Sequence, residues 1–369
     1  MNKRDYYWYW LNNIPGIGRI TIHKLLDVFR EPEEIYLAGE RELRHFLQRD
    51  AQLEAFLASR NKGAILKSYQ RLEMKQIRFF HPDSPDYPER LRNIPDPPTG
   101  FYLKGELPPR EQKTIAVIGA RQCTRYGTEM ARFFGRELSL CGISIVSGLA
   151  RGIDGMAHAG ALEADGYTLG VLGCGIDRIY PEENYQLFMK MEKKGGILSE
   201  SNLGVAPVAG LFPQRNRLIA GLADGILVVE AMEKSGTFIT VDQGLEQGKE
   251  IFAIPGRIMD EKSVGCNNLI KLGAHMVTEV ADILEVLHID NKQAPRLNAF
   301  DRRKEGVKKN LLAPVEKMVY SCLRIEPKYL DEIMEEVRIA PQEVCMALNH
   351  LVISGVIVET ARNYYAIKL

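Results

Sequence analysis

An arginine at the end of an apolar strand is the first residue here whose setting suggests chemistry. Thr114–Gly119 reads as a buried strand, Arg121 follows it, and Thr124 is the kind of residue that caps a helix start. Glycine lets a backbone approach a phosphate, free amides at a helix start favour an anion, and a guanidinium fork matches phosphate oxygens. Gly119 and Arg121 therefore read either as a phosphate seat or as a tight strand–helix turn with a solvated arginine. No G-x-G-x-x-G follows the strand, so dinucleotide binding is not signalled.

Later segments repeat the theme. Ser147 and Gly148 end a second apolar run, with Gly152 close behind. Asp154 and His158 stand four apart on the next helix, which suits a cap plus a buried hydrogen bond better than a metal cage. Gly173–Gly175 ends a third run, and Cys174 has no nearby histidine to activate it. Phe212–Arg217 is the most informative segment. Pro213 presets a helix start, Arg215 and Arg217 flank Asn216, and Phe212 is a ring on which a base could stack or a core residue. The arginines read as phosphate clamps or as a solvated helix end, and the asparagine as a reader of a base edge or a loop brace. Ser235–Gly236–Thr237 is a generic anion seat opening another helix.

These turns need a scaffold that brings strand ends together. Residues 1–80 carry apolar positions at helical spacing, among them Leu11, Leu25, Phe29, Leu43 and Leu47. Residues 81–113 hold eight prolines and read as an extended, ordered connector. From 114 to 288 short apolar runs alternate with amphipathic segments: Thr114–Gly119, Ile143–Ser147, Tyr167–Gly173, Gly196–Glu200, Ile226–Glu230, Ile251–Pro255 and His275–Thr278. That alternation predicts βαβ units in a doubly wound parallel sheet, an α/β fold. Residues 289–313 read as a basic linker, and 314–369 as three helices and a β-hairpin, the pattern of a winged helix.

The chain has 369 residues, 45% hydrophobic and 26% charged, which is ordinary for two or three globular domains. Net charge is zero, so an anion site must be local. Six cysteines stand far apart with no C-x-x-C pair, which predicts reduced thiols in a cytoplasmic protein and no zinc site. No signal-peptide pattern opens the chain and no apolar run approaches ~20 residues, so no membrane association is expected.

The segments come in a recognisable order: IGAR, SGLARGIDGMAH, GCGIDRIYP, SE, FPQRNRLIAGL, VVEAMEKSGT, AIPG and GCNNLIKLGA. Over about 114–287 the chain resembles the DNA-processing protein A (DprA/Smf) family. The resemblance implies an extended Rossmann-like core without cofactor or catalytic turnover. It also implies single-stranded DNA binding, homodimer formation, and RecA loading on strands covered by single-strand-binding protein, in natural transformation and DNA recombination. The family's basic pocket maps onto Arg121 and onto Arg215, Asn216 and Arg217. Two departures stand out. Ser201–Leu211 holds a single proline where the family is proline-rich, and Val241 follows Thr240 where the family often has alanine.

Two flanking segments extend the expectation. Ile14–Gly18 resembles a helix-hairpin-helix, a SAM-like arrangement whose amides either meet a phosphate or serve the fold alone. The expected recognition helix of the winged helix, Pro341–Ser354, holds Glu343 and no Lys or Arg, and residues 315–369 carry eight acidic and six basic residues. A duplex reader needs cations, so a protein-contact or regulatory module is expected there. The alternative for the core is a nucleotide phosphoribohydrolase of the lysine-decarboxylase-like Rossmann group. Its P-G-G-x-G-T-x-x-E signature is missing, and Ser235–Thr240 supplies no glutamate for glycosidic chemistry.

Overall fold

The computed structural model describes residues 1–289, 312–323 and 327–367. They form two compact units, one within 1–294 and one within 295–369. The linker expected at 289–313 lies, apart from its ends, outside the described residues.

The first unit opens with helices, the longer ones Lys3–Asn12, Arg19–Phe29, Asp50–Ala58 and Lys62–Met74. Their apolar stripes bury Trp10, Leu11, Leu25 and Phe56. The Trp10 indole donates to Ser59 Oγ at 2.8 Å, so the ring is buried with its polar edge satisfied. The same cluster includes Tyr102, Leu172 and Ile197 of the sheet, which docks the helices onto the core.

The sheet has nine strands: β1 (Arg78–Phe80), β2 (Phe101–Gly105), β3 (Thr114–Ile118), β4 (Ser144–Ser147), β5 (Thr168–Leu172), β6 (Gly196–Ser199), β7 (Gly225–Val228), β8 (Glu250–Ala253) and β9 (His275–Met276). Their order is β1-β2-β6-β5-β4-β3-β7-β8-β9. The seven strands from β6 through β9 in that order run parallel. Helices cover both faces. Ile115 and Val117 of β3 pack with helices Arg125–Leu140 and Ile153–Glu163, while Ala116 and Ile118 pack with helix Leu211–Leu222. Such two-sided burial is why these strands read as continuous apolar runs.

The connector departs from expectation. It supplies β2, which pairs antiparallel with β6, and β1 pairs antiparallel with β2. A short helix, Glu89–Arg92, lies between them. The sheet is therefore mixed, with an antiparallel edge. The prolines sit in the turns, and Phe101–Leu103 is free of them and wholly buried.

Helices Arg125–Leu140 and Ile153–Glu163 approach closely because Gly135 and Gly160 have no side chains. A β-carbon at either would meet the backbone of the opposing helix. The chain winds one way from β3 to β4 and the other way from β7 to β8, so the sheet reverses between β3 and β7. Open α/β sheets commonly hold a ligand at such a point.

The second unit has helices Pro314–Cys322, Leu330–Val337 and Pro341–Ile353. Its antiparallel sheet joins β10 (Lys328–Tyr329), β11 (Ile357–Ala361) and β12 (Tyr364–Ile367) in the order β10-β12-β11. Val319, Ile333, Leu348, Leu351 and Ile357 fill its core. Among the described residues no helix is long and apolar enough to cross a membrane, and no group of three side chains could hold a metal. The six cysteines form no disulfide.

Candidate nucleic-acid interface

The carboxyl ends of β3, β4 and β5 frame a cleft of ≈160 Å³, lined by Arg121, Gly148, Gly173, Tyr180 and Phe212 among others. Arg121 is exposed. It has no ion pair among the described residues, and its guanidinium lies 5.1 Å from the centroid of the Phe212 ring. Gly152, at φ +74°, lets the next helix begin against this turn; a β-carbon there would stand 2.6 Å from the Arg121 carbonyl oxygen. Gly173 makes room for Phe212, whose ring a β-carbon at 173 would meet at 2.8 Å. The half-exposed Tyr180 ring lies 5.6 Å from Phe212, tilted by 38°. A bare cation beside a pair of aromatic rings suits a phosphate with a neighbouring base.

Arg215 comes to the same place from below. Its guanidinium is 6.0 Å from the Phe212 centroid, so Arg121 and Arg215 share one ring rather than opposite sides of the molecule. It is 6% exposed, however, and donates to the carbonyls of Gly148, at 2.8 Å, and Val171. Arg215 therefore ties the ends of β4 and β5 and underlies the cleft, and it is not a surface clamp. Burial pulls it down to about 10; Asp154 opposes the fall and Arg121 adds to it. It stays cationic at neutral pH. Asn216 Oδ1 accepts from Arg215 Nε at 3.1 Å, which gives the asparagine a bracing role.

Asp154 and His158 are buried on helix Ile153–Glu163. Burial raises the Asp154 carboxyl, against the pull of Arg215, and Oδ2 accepts the Gly148 amide at 3.1 Å. The hydroxyl of Thr168 donates to the Ile145 carbonyl, so His158 Nδ1 carries the proton that it donates to Thr168 at 2.6 Å. Burial, with a smaller push from Arg215, lowers His158 to about 3. An unfolded histidine titrates near 6.5, so the unfolded chain alone takes up this proton as pH falls. His158 should therefore remove stability progressively from pH 6.5 down to about 3, by ~1.4 kcal/mol per pH unit. Urea midpoints at pH 7.5, 6.0 and 5.0 check this: His158→Gln should flatten the acid limb relative to the parent, and an unchanged limb would mean that His158 is protonated in the fold.

The remaining expected site residues lie elsewhere. Arg217 is 5% exposed and is spent on ion pairs, to Asp96 at 3.1 Å and Glu200 at 2.7 Å. Its partners hold it in the fold, away from any phosphate. Ser147 is buried and donates to the Val117 carbonyl at 2.6 Å. Gly119 is required by packing, since a β-carbon would stand 2.7 Å from Ile153 and 2.8 Å from the Glu230 carbonyl oxygen. Ser235, Gly236 and Thr237 open helix Thr237–Glu246 beyond β7 and do not line the Arg121 cleft. Of the free amides expected after β3, those of Thr124 and Gly127 are taken by the chain itself. The Thr124 amide donates to Glu230 Oε2 at 2.8 Å, its hydroxyl donates to Oε1, and Glu230 is 3% exposed.

Sequence reasoning missed Tyr180 as a ring of the site, Asn184 and Glu230. Asn184 Nδ2 donates to the carbonyls of Leu149 and Ala150, both at 3.0 Å, and so pins the turn after β4. Its partners are far away in the chain, and no local pattern marks it. The amino-terminal hairpin borders a second recess of ≈210 Å³ that shares Leu172 and Gly173 with the cleft. Its Arg19 is held by Asp96 at 2.6 Å and Gln214 at 3.1 Å, which favours a bracing hairpin.

The family model described as DNA recombination-mediator protein A matches residues 78–288. Protein Smf of Synechocystis is 32% identical, covering 96% of this chain and 97% of its own. DNA processing protein DprA of Bacillus subtilis is 42% identical over 62% of this chain and 76% of its own. Among solved structures, DprA of Streptococcus pneumoniae superposes with a TM-score of 0.68 at 32% identity, covering 77% of this chain and 98% of that one. The Helicobacter pylori protein, whose structure is described for its single-stranded DNA binding mode, gives 0.51 at 29% identity over 58% of this chain and 96% of its own.

Proposed function

Because this chain belongs to the DNA recombination-mediator protein A family, we propose that it holds single-stranded DNA in the cleft at the ends of β3, β4 and β5. The observation that carries this is Arg121: an exposed guanidinium without a carboxylate partner among the described residues, set over Phe212 and next to Tyr180. Arg121 takes a phosphate, and the two rings offer stacking surface to adjacent bases. Gly148 supplies the close wall, and Arg215 and Asn216 stiffen the floor. The single-stranded binding reported for the Helicobacter pylori relative supports the same ligand class. The cleft's lining includes no aspartate or glutamate, which disfavours nucleotide hydrolysis.

The wider role we infer is that of a mediator. It would work in the cytoplasm, shelter incoming single strands, hand them to RecA past single-strand-binding protein, and so serve transformation and recombination. A homodimer fits the strand-poor end of the sheet, where Ile258, Met259, Leu272 and Met276 are exposed. The carboxyl-terminal unit is read as a winged helix that contacts protein, since helix Pro341–Ile353 carries no Lys or Arg.

The test is equilibrium binding of the full chain to a dT oligomer and to a duplex of equal length, at two salt concentrations. Single strands should bind tighter, with affinity falling as salt rises. Equal or stronger duplex binding would overturn the assignment.

A further inference from the structure

The point where the sheet reverses is closed by the protein's own carboxylate. Beyond β3 and β7 the two strands continue to pair, the Ala120 amide donating to the Glu230 carbonyl at 2.8 Å. The Glu230 side chain then turns onto Thr124, the N-cap of the 16-residue helix Arg125–Leu140. Both carboxylate oxygens are used, one by the Thr124 amide and one by the Thr124 hydroxyl, while that hydroxyl accepts the Gly127 amide at 3.0 Å. Gly127 is kept bare by the same group, because a β-carbon there would run into the Glu230 carboxyl. A carboxylate on the amide and hydroxyl of a helix N-cap, in the crevice where the chain changes direction, stands where a bound phosphate would otherwise sit.

We propose that Glu230 is an internal substitute for a ligand phosphate, and that by filling this seat it denies the core to free nucleotides and confines phosphate binding to the Arg121 cleft. Mononucleotides and dinucleotides carry the same phosphates as DNA. A sheet with an open seat at its reversal point would bind them, and they would compete with the strand. With the seat filled, a phosphate is held through Arg121, and a polymer gains over a monomer by the neighbouring rings. The selectivity for strands over nucleotides rests on the function proposed above; the filled seat does not.

Inorganic pyrophosphate is the probe, titrated calorimetrically into the full chain against sodium chloride of matched ionic strength. Glu230→Ala should gain about tenfold in pyrophosphate affinity over the parent, a factor in keeping with one favourable helix-terminus contact. The gain should persist when Arg121→Ala is added, which separates the seat from the cleft. Glu230→Gln, which refills the space without charge, should show no such gain. A folded Glu230→Ala chain that binds pyrophosphate no better than the parent overturns the proposal, as does a gain that vanishes with Arg121. If Glu230→Ala folds only in added phosphate, that supports it. If it does not fold at all, the deciding measurement is Arg121→Ala combined with Arg151→Ala, the two arginines that line the cleft, in which pyrophosphate binding should disappear; residual binding there would mean that the seat is open despite Glu230. None of these titrations uses DNA, so failure of the seat and failure of strand binding are told apart.

Discussion

Arg121→Ala is expected to weaken dT-oligomer binding by about ten- to a hundredfold at fixed, near-physiological salt. A single charge-assisted contact contributes ~1.5–3 kcal/mol, and each 1.4 kcal/mol is about tenfold. The salt slope should shrink by ~0.7, the increment for one phosphate contact on a single strand. Stability should move by less than ~0.5 kcal/mol, because Arg121 is exposed and makes no ion pair among the described residues. Anisotropy titrations across a salt series, with a urea curve beside them, give all three quantities. A folded variant with parental affinity would remove Arg121 from the interface and leave Arg151, paired with Glu183 at 2.5 Å, as the cation lining the cleft.

The opposite profile is expected at Arg217. Arg217→Ala should destabilise the chain by ~2–4 kcal/mol, somewhat under the usual loss for a fully buried pair, because the Asp96 and Glu200 side chains are 35% and 22% exposed. It deletes the cation that joins the connector, the end of β6 and helix Leu211–Leu222. Urea denaturation reads the loss. Under conditions where the variant is still folded, its affinity for the dT oligomer should stay within about threefold of the parent. A stable variant with lost affinity would put Arg217 on the DNA after all. The two arginines look alike in the sequence, and these two measurements separate them.

Much of the scaffold was legible because parallel strands buried on both faces announce themselves. Thr114–Ile118 and Thr168–Leu172 are unbroken apolar runs or nearly so, and each lies within the segment read for it. Strand β2 was hidden by prolines on either side, and β1 by its three-residue length and Pro82 just after it. The Arg121 turn was legible as strand, glycine, cation and cap. The burial of Arg215 was also readable and was overlooked: it precedes Leu218 and Ile219 by three and four positions, which puts it on their stripe. Both side chains pack inward, and the arginine goes with them. The role of Glu230 could not be read locally, because Thr124 is 106 residues away and meets it only when β3 and β7 are side by side.

That adjacency also governs how the molecule can be made. Ile115 lies opposite Ile145 on one side and Gly225 on the other, and Tyr102 lies opposite Ser199. On the ribosome, the central strand therefore emerges long before its second neighbour exists. Until residue 228 has cleared the exit tunnel, one whole flank of β3 is an unsatisfied sheet edge, of the sort that other chains readily join. The nascent protein must be held soluble through that interval, and assembly of the core becomes a late, all-together event rather than a progressive one.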